Sequence, residues 1–167
     1  MSFEGGSVLP LALSTAAMGL YPAGRLELPL PQTFTPKPIN KVILIWGGSS
    51  STGSATIQLA VASGATVIAT ASAKNHSFVQ SLGVAKVLDY HEDSIIQDLV
   101  KAIRDTPGEF VGALDAIGEE ETIRRCADVV KGLGGGRVVT NLPMPIKDIP
   151  EGVELVGGKF HLCPISS

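Results

Sequence analysis

The sequence has few cysteines, few aromatic residues and few charges. Its 167 residues include two cysteines, Cys126 and Cys163, with 5% aromatic and 17% charged residues. Two cysteines cannot supply the framework of a disulfide-rich secreted domain, so a reducing, cytoplasmic compartment is expected. The net charge of −3, with no cluster of Lys and Arg, argues against nucleic acid as a partner. The 44% of hydrophobic residues instead favours one domain with a buried core.

The chain also lacks a hydrophobic run long enough to cross a membrane. The apolar segment from Val8 to Leu20 contains Pro10, and no basic residues precede it. It is too short for a bilayer span and does not have the pattern of a signal peptide. We therefore expect no membrane association and predict a buried helix over Ser7 to Leu20.

Prolines divide the chain into two parts. Five of them fall between Tyr21 and Asn40, and none of them lies inside a periodic run. Such a segment predicts extended, linker-like structure. We therefore predict that residues 1–40 form an N-terminal helix and a Pro-rich linker, and that residues 41–167 form a dinucleotide-binding domain.

From Lys41 onward, short apolar runs alternate with helical patterns. This alternation is typical of right-handed βαβ units, and the predicted fold class is therefore α/β, a Rossmann-type doubly wound parallel sheet. The predicted strands are 42–46, 65–70, 86–90, 110–117, 137–142 and 153–160, and the predicted helices are 54–63, 74–82, 94–104 and 119–131.

A glycine- and serine-rich turn joins the first of these strands to its helix. Read as G-x-G-x-x-G, the three glycine positions hold Gly48, Ser50 and Gly53, so the middle position is serine. A strand that enters such a turn and a helix places backbone N–H groups and the positive end of the helix dipole against an anion. Further hydroxyl donors are Ser49, Ser51 and Thr52. A simple Gly/Ser loop remains an alternative on this stretch alone.

The end of the second strand bears on the choice of cofactor. An NAD-binding domain usually has an acidic residue there to hold the ribose hydroxyls. This chain has TASAKN instead, with Ser72 and Lys74 and no acid. A lysine and a hydroxyl can bind a 2′-phosphate, so NADP(H) is favoured over NAD. The alternative that Lys74 and Asn75 only begin a solvated helix stays open.

A family resemblance rests on a succession of motifs. The run VILIWGGSSSTGSATIQLAVASGATVIATASAKN is followed by SLGVAKVLDY and ALDAIG, and is preceded by LPLALSTAAMGLY. Together they resemble the cofactor domain of the medium-chain dehydrogenase/reductases. The chain is most similar to the zinc-independent quinone and enoyl reductases, including the trans-acting enoyl reductases of fungal polyketide synthesis.

The resemblance implies roles for individual residues. It implies that Ser49 to Gly53 cradle the pyrophosphate and that Ser72, Lys74 and Tyr90 hold the 2′-phosphate side of the adenosine. It also implies that the nicotinamide half lies along Ile117, Gly118, Thr140 and Leu142. No catalytic residue is identified in the chain.

The resemblance also implies a limit on activity. Whole members of the family have an N-terminal catalytic domain that closes over the nicotinamide, and the expectation is that this chain begins after it. We therefore expect the isolated chain to bind a cofactor without turning over substrate. In the parent enzyme, hydride would pass to an activated alkene, a quinone or a carbonyl.

Other functions were weighed against this one. A zinc-free alcohol dehydrogenase of the same family is the enzymatic alternative. A non-catalytic cofactor-sensing module, dimerising through the sixth strand, is the other. An S-adenosylmethionine site would require an acid after the second strand. His161 and Cys163 form an H-x-C pair without further ligands, so no metal site is expected.

Overall fold

The computed structural model describes residues 3–31, 36–140 and 146–157, with the backbone alone for residues 3–10. Six parallel strands form one sheet in the order β3-β2-β1-β4-β5-β6. The strands are β1 (Lys41–Trp46), β2 (Thr66–Thr70), β3 (Lys86–Leu88), β4 (Glu109–Asp115), β5 (Gly136–Thr140) and β6 (Val153–Val156). This order is that of a doubly wound dinucleotide-binding fold, and the predicted Rossmann-type architecture is confirmed.

One helix precedes β1, and four others follow β1, β2, β3 and β4 within the described part of the chain. They are α1 (Phe3–Leu20), α2 (Ser51–Ala62), α3 (His76–Ser81), α4 (Ile95–Arg104) and α5 (Glu120–Gly132). The predicted helix over 74–82 is divided, since Ala73–Asn75 forms a 3₁₀ turn before α3. The predicted sixth strand is described only as Val153–Val156, at the edge of the sheet, where the predicted dimer contact stays a prediction.

The core has one layer on each face of the sheet. On one face Ile43, Ile45 and Val67 pack with Leu20 of α1 and Ile57 of α2. On the other face Val42 and Leu44 pack with side chains of α4 and α5, including the fully buried Cys126. Every side chain of β1 except Lys41 is buried, which explains why the run from Val42 to Trp46 is continuously apolar rather than alternating.

The segment before β1 belongs to this core as well. Leu26 is 2% exposed and Leu28 is 4% exposed, and both lie in the cluster that contains α2. Leu26 packs over Gly112 of β4, where a Cβ would lie 2.7 Å from the leucine side chain. The hydroxyl of Tyr21 lies 3.2 Å from Ser63 Oγ. The extended, Pro-rich segment is therefore anchored to the sheet over its first half.

The strand order reverses between β1 and β4. The segments that follow these two strands diverge, one into α2 and the other into α5, and leave a crevice at the carboxyl edge of the sheet. In open parallel sheets this crevice is where ligands bind.

Candidate functional site: a dinucleotide cleft

The loop after β1 and the first turn of α2 carry the backbone donors of a candidate anion site. Gly47 N–H donates to Thr70 Oγ1 at 3.0 Å and Gly48 N–H to the Thr70 carbonyl at 2.8 Å, so β2 fixes the start of the loop. The N–H groups of Ser49, Ser51 and Thr52 have no acceptor among the residues that the structure describes. Free N–H groups at the first turn of a helix, where the dipole is positive, form an anion site.

Ser50 holds this loop in shape. Its side chain is the N-cap of α2, accepting from Gly53 N–H at 3.0 Å and donating to the Gly47 carbonyl at 2.9 Å. The serine in the middle glycine position of the motif is therefore a capping residue, and its hydroxyl is engaged on both sides.

Gly53 lets the helix approach the strand. A Cβ at this position would overlap the Gly47 carbonyl oxygen, so no other residue fits without moving the loop. This is the close helix-strand packing that the third glycine of a dinucleotide motif provides.

A second polar turn follows β2. Ser72 is 9% exposed, and Lys74 is exposed in the 3₁₀ turn. Within the described ranges Lys74 takes part in no ion pair. A free cation beside a hydroxyl is a suitable partner for a phosphate.

Asp89, which follows β3, is hydrogen-bonded to that turn. Its Oδ2 accepts from Ala73 N–H at 2.9 Å, and its Oδ1 lies 2.7 Å from His91 Nδ1. The backbone N–H of His91 is the main cause that lowers the pKa of Asp89 below its ordinary value. Because Asp89 occupies the Ala73 N–H, an anion at this turn would be held by the side chains of Ser72 and Lys74.

A buried carboxylate shapes the loop after β4. Asp115 is fully buried and accepts hydrogen bonds from Ile117 N–H at 3.2 Å, Gly118 N–H at 2.9 Å and Thr122 Oγ1 at 2.9 Å. Burial raises the pKa of Asp115, and the three donors oppose that shift. Asp115 thereby ties the end of β4 to the first turn of α5.

The segments that follow β1, β3 and β4, together with the first turns of α5, line a cleft of about 530 Å³. Arg125 of α5 is one of the lining side chains, and it donates to the Tyr90 carbonyl at 3.1 Å and pairs with Glu121 at 2.8 Å. The lining residues are Trp46, Gly47, Ser49, Ser50, Tyr90, His91, Ile117, Glu119, Glu121, Thr122 and Arg125. The cleft lies at the switch point of the sheet, and its lining combines the loop before α2 with both apolar and charged side chains. This is the place where open parallel sheets bind dinucleotides.

The comparison with protein families decides the identity of this domain. A family model described as zinc-binding dehydrogenase matches residues 51–147, more than half of the chain. The chain belongs to the zinc-binding dehydrogenase family. This family lies within the medium-chain dehydrogenase/reductases, and the relationship predicted from the sequence is confirmed. The family is one of dinucleotide-binding oxidoreductases.

Individual relatives agree with this assignment. A trans-enoyl reductase, himH, of Aspergillus japonicus is 45% identical over 150 residues, which are 90% of this chain and 42% of the relative. The structure of an alcohol dehydrogenase superfamily protein from Novosphingobium aromaticivorans is 26% identical, with a TM-score of 0.70 over 90% of this chain and 42% of that one. A quinone oxidoreductase from Coxiella burnetii is 27% identical, with a TM-score of 0.64 over 94% and 44%. The chain thus spans less than half the length of these proteins.

The zinc in the name of the family has no counterpart in the described part of the chain. No group of three or more His, Cys, Asp or Glu side chains there could hold a metal ion. His161 and Cys163 lie outside the described residues. In the same ranges, no helix is long and apolar enough to cross a membrane.

The structure brings the predicted site residues to one edge of the sheet of this dehydrogenase domain. The loop and first turn after β1 hold Gly48, Ser49, Ser50, Ser51, Thr52 and Gly53; the turns after β2 and β3 hold Ser72, Lys74 and Tyr90; and Ile117 and Gly118 follow β4. Thr140, at the end of β5, is fully buried and pairs in register with Asp115. Leu142 lies outside the described residues.

Four residues of the site were missed by the sequence reasoning. They are Asn75, Asp89, Asp115 and Arg125, and each acts on a loop that follows a different strand. The Asp-x-x-Gly run at the end of β4 is the one local signal, because an aspartate at a turn accepts backbone N–H groups two and three residues further on. The other three depend on contacts between segments that are distant in sequence.

Proposed function

We propose that this chain is the NADPH-binding domain of a medium-chain reductase. Residues Ser49, Ser51 and Thr52 would hold the pyrophosphate through the unpaired N–H groups of the helix terminus. Ser72 and Lys74 would hold the adenosine 2′-phosphate, and Ile117 and Gly118 would lie along the nicotinamide half. The observation that carries the choice of NADPH is the exposed Lys74, which forms no ion pair with a described residue, in the same turn as Ser72.

The reaction of the whole enzyme follows from the cofactor. A bound NADPH supplies a hydride, and the protein supplies orientation and a dry cleft. The identity to a trans-enoyl reductase supports an activated alkene as the acceptor, and the identity to a quinone oxidoreductase supports a quinone. We propose that the chain by itself binds the cofactor and that turnover needs a second domain to hold the substrate against the nicotinamide.

Titration calorimetry with NADPH and NADH tests the cofactor choice. We expect NADPH to bind more tightly than NADH. Replacing Lys74 with alanine should weaken the binding of NADPH by about tenfold or more, because a hydrogen bond to a charged group contributes about 1.5–3 kcal/mol. The same replacement should leave the affinity for NADH nearly unchanged, because NADH has no 2′-phosphate.

Lys101, an exposed lysine of α4 away from the cleft, is the matched control. The Lys101→Ala variant should bind NADPH as the unaltered chain does. Equal affinity for the two cofactors would overturn the NADPH assignment, and binding of neither would overturn the proposed function.

A further inference from the structure

The side-chain amide of Asn75 joins the loop after β1, which lines the cleft, to the polar turn after β2. Its Nδ2 donates to Ser49 Oγ at 3.3 Å and to Ser72 Oγ at 3.1 Å. Ser49 follows β1 and Ser72 follows β2, so one side chain connects the loop of the anion cradle to the turn that carries Lys74. Asn75 occupies the N-cap position of α3 and makes no side-chain capping bond there.

This arrangement decides which way the serine hydroxyls can donate. A serine hydroxyl has one proton to give and can accept two hydrogen bonds. When Ser49 and Ser72 accept from the Asn75 amide, their protons remain available for another acceptor. Ser50 is the contrast, since it already donates to the Gly47 carbonyl and accepts from Gly53. Ionised phosphate oxygens only accept, so a hydroxyl must donate to bind them.

We propose that Asn75 is a positioning residue for the dinucleotide, which directs the hydroxyl protons of Ser49 and Ser72 toward the pyrophosphate and the 2′-phosphate of the adenosine half. The proposal rests on the proposed function. Ser49 would serve the pyrophosphate and Ser72 the 2′-phosphate, with Asn75 acting on both through the serines. A single substitution should therefore weaken recognition at two places that are separated by the adenosine ribose.

Three adenine nucleotides distinguish the effect of Asn75 at the pyrophosphate from its effect at the 2′-phosphate. Adenosine monophosphate is the common reference, ADP adds the second phosphate of the pyrophosphate, and adenosine 2′,5′-bisphosphate adds the 2′-phosphate. Titration calorimetry measures how much more tightly ADP and the bisphosphate bind than the monophosphate. Each gain in affinity reports the contribution of the added phosphate. We expect Asn75→Ala to reduce both gains by about two- to tenfold, the range for loss of one hydrogen bond.

A double-variant cycle shows whether Asn75 acts through the serines. Ser72→Ala should reduce only the gain from the 2′-phosphate, and Ser49→Ala only the gain from the pyrophosphate. Adding Asn75→Ala to Ser72→Ala should then cause little further loss for the 2′-phosphate, because the hydroxyl that Asn75 orients is gone. A purely structural role would give additive losses and would overturn the proposal.

Gln80→Ala is the matched control, because this side chain also donates an amide hydrogen bond in the same segment, to the Val84 carbonyl. It should leave both gains unchanged, and the melting temperature of every variant shows that it is folded. Unchanged gains in a folded Asn75→Ala variant would overturn this inference alone. If the unaltered chain binds none of the three nucleotides, the proposed function and this inference both fail.

Discussion

Asp115 is a carboxylate that forms no ion pair within the part of the chain that the structure describes, and it is held by three donors from the loop after β4 and the first turn of α5. Burial raises the pKa of Asp115. Burial also raises the pKa of the Cys126 thiol well above its ordinary value, and the charge of Asp115 adds a smaller upward shift. Burying a charged carboxylate costs free energy, and the three hydrogen bonds to Asp115 offset that cost only in part. The residue therefore links the stability of the domain to the shape of its site.

The raised pKa of Asp115 gives a pH dependence with a definite sign. A carboxyl whose pKa is higher in the folded than in the unfolded chain contributes stability that is fully present below the unfolded value, about 3.9. That stability is lost as the pH rises through the folded value. The free energy of unfolding of the unaltered chain, minus that of Asp115→Asn, should therefore be larger at about pH 4.5 than at neutral pH. Urea denaturation at both pH values measures it.

Asp128, an exposed carboxylate on α5, is the control for this measurement. Its replacement by asparagine should give a difference that changes little between the same two pH values. A difference for Asp115→Asn that stays constant, or grows toward neutral pH, would contradict the burial argument.

At the scale of elements, the helix that carries the cradle depends on its cap. α2 begins at Ser51, earlier than the helical pattern predicts, because Ser50 bonds the Gly53 N–H and allows the first turn to form within the glycine- and serine-rich stretch. In the same turn, the N–H groups of Ser51 and Thr52 have no acceptor among the described residues. The loop and the start of the helix are thus one structural unit.

Removal of the cap should destabilise this unit measurably. We expect Ser50→Ala to lower the free energy of unfolding by about 1 kcal/mol, within the range of about 0.5–2 kcal/mol for a lost N-cap. Thermal or urea denaturation measures the change. Ser51 is the matched control, since its hydroxyl makes no hydrogen bond with a described residue, and Ser51→Ala should change stability by less than about 0.5 kcal/mol. Equal effects of the two variants would exclude the cap as the cause.

At the scale of the whole molecule, the segment before β1 and the sheet share one core. Leu26 reaches the face of β4 at Gly112, and Arg137 of β5 donates to the Arg25 carbonyl at 2.9 Å. Arg137 also pairs with Glu27 at 2.7 Å and with Glu154 of β6 at 3.0 Å. These contacts join the segment of residues 25–28 to the side of the sheet that holds β4, β5 and β6.

Shortening a side chain in this segment should therefore affect the whole domain. We expect Leu26→Ala to lower the free energy of unfolding by about 2–5 kcal/mol, as for other buried leucines, while the chain still unfolds in a single transition. Leu30, in the same segment but 64% exposed, is the control, and Leu30→Ala should cost less than about 0.5 kcal/mol. Circular dichroism and tryptophan fluorescence can both follow the unfolding. A small change in the free energy of unfolding for Leu26→Ala would show that the segment is separable from the sheet.

The sequence by itself determined the α/β class, the parallel sheet, the glycine- and serine-rich turn and the family, because these depend on local patterns. Apolar runs, helical periodicity and glycines between a strand and a helix are all readable within about 30 residues, the length of a βαβ unit. The candidate residues from Gly48 to Gly53 are among the features that such local patterns identify. So is the polar turn with Ser72 and Lys74, which the sequence places at the end of β2.

Only the tertiary structure decided how these parts act on one another. Asn75 reads locally as the start of a helix, and its contact with Ser49 exists because β1 and β2 are neighbours in the sheet. Asp89 reaches the turn after β2 because β3 pairs with β2. The prolines predicted a linker, but Leu26 became part of the core because Gly112 leaves space above β4. Such contacts join residues far apart in the chain, and no local pattern of the sequence encodes the distance between them.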